Sequence, residues 1–354
     1  MKNVFKFLTL VLVFGFLTTS CSDDDDNFVN PPVALGDYEN GIFVSAEGGT
    51  LSGSVSFISN DFSNAETNVF FNVNAEELGT YVQSMGINDN NAYVVVDNNN
   101  IHVVNRYSFI KEATISAGLE LPRFIAFAGG NGYVTNWGDP TDSTDDFIAV
   151  VDLATNAVID TIPVEEGPEQ ILSVGNKLYV SHKGGYGSNN IVSVINVSNA
   201  DVSTILVNDV PDEMIINNSG QLVVLCEGKA AWTGDETPAS ISKIDLSSNT
   251  VVETLTFANG VHPSVMGYTN GKVYYQSGNE IFELSDSASS LPSTSIINLG
   301  AISPYGMSVK DDKLYVTDAK DFVSLSDLIV YDLNTKSVIH TFEVGLIASK
   351  IYFN

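Results

Sequence analysis

Short apolar runs separated by polar clusters recur along the whole chain, and none is sustained at helical period. The pattern is plainest near the end, where residues 313–344 read KLYVTDAKDFVSLSDLIVYDLNTKSVIHTFEV. It predicts strands at 314–317, 328–331 and 337–342, preceded by a small-residue strand at 305–309 and a tight turn at 310–312. A four-stranded antiparallel meander of this kind cannot bury both faces alone and must pack between units like itself.

The chain supplies those units. Aligning on the residue that opens the second strand gives Phe43, Tyr93, Tyr133, Tyr179, Val223, Tyr274 and Tyr315, with successive spacings of 50, 40, 46, 44, 51 and 41. Before most anchors stands a shorter strand opened by proline or a polar cluster: Pro122-Arg123-Phe124, Pro168-Glu169-Gln170, Pro211-Asp212-Glu213, His262-Pro263-Ser264 and Ser303-Pro304-Tyr305. The turn between third and fourth strands repeats as Asp152-Leu153-Ala154-Thr155-Asn156, Asp245-Leu246-Ser247-Ser248-Asn249 and Asp332-Leu333-Asn334-Thr335-Lys336. Asp and Asn suit such turns because their side chains bond nearby backbone groups and tolerate left-handed geometry. The pattern predicts an all-β, seven-bladed β-propeller of four-stranded antiparallel blades. The first unit begins at its second strand, residues 42–45, while the chain ends on an orphan strand, 349–353. Joining that last strand to the first blade closes the ring and removes two exposed sheet edges.

At 354 residues and 44% apolar, the chain is large enough for one all-β domain. Its amino terminus changes the expected location. Lys2 and Lys6 flank an apolar run at 7–17, followed by Thr18, Thr19, Ser20 and Cys21, the layout of a secretory signal too short to span a membrane stably. A cysteine at that place resembles a bacterial lipoprotein lipobox, which makes Cys21 the expected lipidation site; a plain secretory signal is the alternative. The acidic run Asp23 to Asp26 resembles the signal that sends lipoproteins of Bacteroidota to the outer face of the outer membrane, and it also suits a solvated spacer. The expected organisation is a signal at 1–20, a lipidated acidic tether at 21–37 and a propeller at 38–354.

The formal charge is −28, and removing Lys2 and Lys6 leaves 13 basic against 43 acidic residues, about −30. That field disfavours nucleic acid and anionic lipid. Cys226, at the end of the run Val223-Val224-Leu225, suits a small buried residue better than a nucleophile.

Candidate chemistry gathers on one face. Long loops between second and third strands are expected at 46–53, 136–146, 182–190, 227–239 and 318–327. They carry Glu47, Trp137, His182, Lys183, Tyr186, Lys229, Trp232, Lys320 and Phe322, and the starts of the inner strands add Tyr81, Arg123, Phe124, Gln170, His262 and Tyr305. Aromatic surfaces with a few polar groups around a shallow funnel suit a medium-sized organic ligand or a partner loop. Four basic side chains on that face, Arg123, Lys183, Lys229 and Lys320, suggest an anionic feature in what binds.

Catalysis and metal binding have thinner support. Of the four histidines, His102, His182, His262 and His340, only His182 and His262 are expected to share a face. Asp139, Asp142, Asp145 and Asp146 lack the alternate spacing and central glycine of a calcium loop. Neither a Gly-x-Ser-x-Gly elbow nor a phosphate or dinucleotide loop is present. We expect no catalytic residue, metal or cofactor.

The phrases Leu314-Tyr315-Val316-Thr317-Asp318-Ala319, Pro304-Tyr305-Gly306-Met307, Thr341-Phe342-Glu343-Val344-Gly345 and Gly41-Ile42-Phe43-Val44 with Glu47-Gly48 resemble the YncE-like propeller surface lipoproteins of Bacteroidota. The branch most resembled holds cobalamin-binding lipoproteins of the BtuG type, and coverage is essentially the whole mature chain. The resemblance implies a monomeric, lipid-anchored ring that captures a corrinoid or iron chelate and passes it to a TonB-dependent outer-membrane transporter. A structural or adhesion propeller that binds a protein or glycan, and a lactonase-like hydrolytic propeller, remain open. Fold similarity alone does not choose among them.

Overall fold

The computed structural model describes residues 34–354, and residues Leu35–Asn354 form one compact unit. The signal segment, Cys21 and most of the tether lie outside the described residues.

Blade 1 contains β1 (Gly41–Ala46), β2 (Ser54–Ser59) and β3 (Ala65–Glu66), and helix α1 (Val69–Asn74) leads out of it. Blade 2 is β4 (Val82–Asn88), β5 (Asn91–Val96), β6 (Asn100–Asn105) and β7 (Lys111–Ile115). Blade 3 is β8 (Pro122–Ala128), β9 (Asn131–Asn136), β10 (Phe147–Asp152) and β11 (Ala157–Pro163). Blade 4 is β12 (Pro168–Val174), β13 (Lys177–His182), β14 (Ile191–Asn196) and β15 (Val202–Leu206). Blade 5 is β16 (Pro211–Ile216), β17 (Leu222–Cys226), β18 (Ser240–Asp245) and β19 (Thr250–Thr256). Blade 6 is β20 (Met266–Thr269), β21 (Lys272–Ser277), β22 (Glu280–Ser285) and the short β23 (Ile297–Asn298). Blade 7 is β24 (Pro304–Lys310), β25 (Lys313–Asp318), β26 (Leu325–Asp332) and β27 (Ser337–Leu346), and β28 (Ala348–Phe353) ends the chain.

Each blade is a four-stranded antiparallel sheet, and β28 pairs with β1 to complete the first in the order β28-β1-β2-β3. Ile42 faces Phe353, Phe43 faces Tyr352 and Val44 faces Ile351, so the ring closes as the chain ends require. Closure leaves neither terminal strand as an open inner edge. Two details differ from the sequence expectation. The last strand of blade 7 runs on to Leu346, and α1 occupies the link from β3 to β4. That helix is six residues long, too short to show a period, and is held by burying Val69 and Phe70.

The apolar runs are continuous because both faces of every blade are covered. Seven separate apolar clusters form, one between each pair of neighbouring blades. Alternation assigns β1 to two of them: Phe43 packs toward blade 2, while Ile42 and Val44 pack toward blade 7. Asp turns hold the outer edges. Asp152 Oδ1 accepts from the Ala154 and Thr155 amides at 2.7 and 3.1 Å, and Asp332 Oδ1 accepts from Asn334 and Thr335 at 2.8 Å. Asn156, Asn249 and Lys336 take positive φ at the close of the three repeated turns.

Candidate functional site

The site is built by a device that repeats from blade to blade. Four proline-led inner strands start out of register with their neighbours: the pairing slips between Pro122 and Ile125, Pro168 and Ile171, Pro211 and Met214, and Pro304 and Gly306. A bulge of this kind re-aims a side chain, here into the ring axis. The residue after the proline therefore enters the funnel, as Arg123, Glu169, Asp212 and Tyr305 do, and Ser264, after Pro263, lines it from the segment ahead of β20 without such a slip. In three blades a hydroxyl of the adjacent strand closes the bulge by accepting a backbone amide. Phe124 donates to Thr135 at 2.9 Å, Gln170 to Ser181 at 3.1 Å and Gly306 to Thr317 at 2.7 Å.

A second tier comes from the residue just past the second strand of a blade. Glu47 follows β1, Lys183 follows β13 and Glu227 follows β17, and all three line the funnel with Gln83, Phe124, Val265, Pro304, Ser349 and Lys350. Glu47 is fixed by its backbone, which donates to Ile347 at 2.9 Å and accepts from Val82 at 3.2 Å. Gly48 follows with φ 89°, where a Cβ would meet the Gly53 nitrogen at 2.5 Å. The funnel encloses about 170 Å³.

Its charges are paired across blades. Arg123 donates from Nε and Nη2 to the two carboxylate oxygens of Glu169 at 3.0 and 2.8 Å, a fork-to-fork bond. The same guanidinium stands 4.0 Å from the centre of the Trp137 ring, whose indole N–H donates to the Pro168 carbonyl at 3.1 Å. Tyr186 meets that indole edge-on, with ring centres 5.7 Å apart. Lys183 Nζ donates to Asp212 at 2.7 Å and to Glu227 at 2.9 Å, and Lys350 Nζ donates to Glu213 at 2.7 Å.

These contacts move the proton affinities. Burial pushes the Glu227 carboxyl up to about 7 despite the Lys183 charge. Burial works on Asp212 in the same direction, but Lys183 and Lys350 overcome it and hold that carboxyl low. Glu47 is raised, chiefly by burial, with the Tyr305 hydroxyl opposing. Lys183 stays firmly protonated, because Asp212 and Glu227 outweigh its burial. The two neighbouring carboxyls can thus hold a proton near neutral pH.

Five of the residues singled out in the sequence line this funnel: Glu47, Arg123, Phe124, Lys183 and Tyr305. Trp137 and Tyr186 support it through Arg123, and Phe322 stands edge-on to Tyr305 with ring centres 5.5 Å apart. His262 bonds the Glu227 carbonyl through Nδ1 at 2.7 Å. Gln170 is structural, its Oε1 accepting from the Met214 amide at 3.2 Å. Tyr81, Lys229 and Lys320 lie on the loops outside the funnel lining, and Trp232 is 87% exposed on a 3-10 turn, Ala231–Thr233.

Two expectations change. His182 is fully buried within blade 4, one ring nitrogen bonded to the Glu166 carbonyl at 3.1 Å and the other to Ser193 Oγ at 2.8 Å, and burial lowers it to about 4. The loop position places His182 at the strand end, where alternation turns it inward. The four basic side chains do not form a free anion site, because each has a carboxylate partner; Lys229 pairs with Asp235 at 2.6 Å and Lys320 with Asp327 at 2.8 Å.

Sequence reasoning missed Glu169, Asp212, Glu227, Ser349 and Lys350. The signal was present in the repeated proline: the next residue is the one the bulge turns inward. Asp139 and Asp142 bond the amides and hydroxyls of Thr141 and Thr144, as a solvated turn does. Among the described residues, no group of three or more His, Cys, Asp or Glu is placed to hold a metal ion. Cys226 is fully buried, which pushes its thiol up to about 12.

The chain belongs to the DUF5074 family, described as a domain of unknown function, whose model matches residues 40–344. No curated protein matches the sequence. Among solved structures it is similar to the computationally designed Ika8 protein, at 9% identity and a TM-score of 0.57 over 90% of this chain and 92% of that one. It is similar to the dihydro-heme d1 dehydrogenase NirN, solved in complex with DHE, at 12% identity and 0.57 over 90% and 76%. Kuenenia stuttgartiensis hydrazine synthase follows at 17% identity and 0.53 over 74% and 85%. These likenesses concern the fold.

Proposed function

We propose that the protein is a non-enzymatic surface lipoprotein of the YncE-like kind, anchored at Cys21, that holds a small organic or metal-chelate nutrient at the funnel and passes it to a TonB-dependent outer-membrane transporter. The observation that carries this reading is the funnel itself, where residues from all seven blades converge on one concave, ion-paired cavity beside paired aromatic rings. At about 170 Å³ the cavity is smaller than the roughly 300–1,000 Å³ of a drug-sized ligand site. A corrinoid or iron chelate would therefore insert one group and rest its body on the rim, against Tyr305 with Phe322 and Trp137 with Tyr186.

Thermal unfolding of the protein against corrinoids, haem, ferric chelates and glycans tests the reading, since a ligand of the folded state raises the midpoint by mass action. A large shift with one corrinoid or chelate supports capture; no shift with any of them overturns it. The exposed Trp232 favours a second reading, an adhesion ring that binds a protein or glycan through its loop rim. There W232A would abolish partner binding while leaving small-molecule shifts unchanged.

A further inference from the structure

The inner strands enclose a second cavity below the funnel, an axial chamber of about 550 Å³. That lies within the roughly 300–1,000 Å³ of small-molecule sites, a range the funnel does not reach. Its walls come chiefly from β12, β16, β20, β24 and β28 and are mostly apolar. Ile216, Met307, Ile351 and Phe353 are partly exposed there, whereas the apolar residues of the second strands β5, β13 and β17 are all buried. The axis thus presents apolar surface that water still touches, and covering such surface is favourable. Three of the chain's five methionines, Met214, Met266 and Met307, line this one chamber. Unbranched thioether side chains adapt to the shape of a guest, which is why they are over-used at binding surfaces.

One polar group narrows the chemistry of that guest. Gln170 lines the chamber and is 8% exposed. Its Oε1 accepts from the Met214 amide at 3.2 Å, which fixes the orientation of the carboxamide. Nε2 is left without a hydrogen-bond partner among the described residues, yet it is not sealed from water as Ser240 Oγ is. Its N–H groups therefore open on the cavity that Gln170 lines. Charge, by contrast, is already matched. Lys350 and Glu213 pair at 2.7 Å, and among the described residues no other lysine, arginine, aspartate or glutamate lines the chamber. An ion entering it would leave water for walls that offer no counter-charge.

We propose that the axial chamber is a second binding site, which takes a neutral, largely apolar small molecule carrying one carbonyl or ether oxygen, with that oxygen accepting from Gln170 Nε2. The site does not rest on the funnel's being a ligand site, and its failure leaves that reading untouched.

Carbon-13 methyl NMR of the full chain, labelled at methionine and kept free of detergent, tests it with three probes of equal size: nonan-2-one, octanoate and nonylammonium. Met85, buried in the cluster between blades 1 and 2, is the internal control. Nonan-2-one is expected to shift the Met214, Met266 and Met307 methyl signals saturably, to leave Met85 in place and to move the Gln170 side-chain amide. It should bind at least about tenfold more tightly than either ion, because an unpaired buried charge costs more than that factor. I351W, which fills the chamber, should abolish the shifts, and the titration of the unsubstituted protein decides the matter even where that variant fails to fold. No saturable shift at the three chamber methionines, or an ion bound as tightly as the ketone, overturns the assignment. Methionine shifts with the Gln170 amide unmoved overturn the bond to Nε2.

Discussion

The inner strands line two cavities of opposite character. The funnel is small and ion-paired, while the chamber below it encloses about 550 Å³ lined largely by apolar side chains. The change occurs within single strands. Asp212 is followed at period two by Met214 and Ile216, Tyr305 by Met307 and Val309, and Ser349 by Ile351 and Phe353. Strand periodicity alone would continue one polarity along a face. Here the bulge at the start of the strand adds the polar residue, and ordinary β pairing resumes with the apolar ones. The Lys350–Glu213 pair and Phe124 sit where the two regions meet. The axis therefore has a polar, ion-paired mouth and an apolar lower half.

Breaking an ion pair of the mouth should have the largest effect. E169A leaves Arg123 buried without its partner, and urea unfolding is expected to show a loss of about 3–5 kcal/mol. The double replacement R123M/E169M should recover most of it, because a buried pair gains little over apolar groups of similar volume. In the chamber, M214A removes a side chain 3% exposed within the cluster between blades 4 and 5. It should cost about 2–3 kcal/mol, at the low end for such truncations because the site already borders a cavity. A loss as large as that of E169A would erase the contrast between the regions.

The tryptophans sharpen the comparison within the mouth. W137A removes the ring under Arg123 and the bond to Pro168 and should cost about 2 kcal/mol in the same measurement. W232A, on an exposed turn, should change stability by less than about 0.5 kcal/mol. Equal effects would mean that Trp232 packs on the ring in solution.

The smallest expected effect is a pH slope. Because Glu227 is raised to about 7, the folded protein binds a proton there more tightly than the unfolded chain, so this residue makes stability fall as pH rises from about 4.5 to 7. The lowered Asp212 acts oppositely, adding stability that is present above the ordinary carboxylate range and lost as pH falls below it. The midpoint of E227Q relative to the unsubstituted protein should therefore climb between pH 5 and pH 8. A flat difference would show that Glu227 is ionised throughout.

The repeated β-rich runs, the Asp turns and the unmatched strand at each end were sufficient for a closed seven-bladed ring. These are local or counting signals: a four-stranded unit with two apolar faces has no stable solution but a neighbour on each side, and an orphan strand must pair. The face that carries the funnel was legible for the same reason, because antiparallel strands return their loops to a fixed side. What only the tertiary structure decided is which of the side chains on that face meet. His182 and Lys183 are adjacent in the chain, yet one is sealed in a blade and the other reaches two carboxylates from blade 5. Arg123 finds Glu169 across 46 residues, and Lys350 finds Glu213 across 137. Those meetings depend on where each bulge turns the backbone and on how neighbouring blades are spaced about the axis, distances that exist only once all seven are in place.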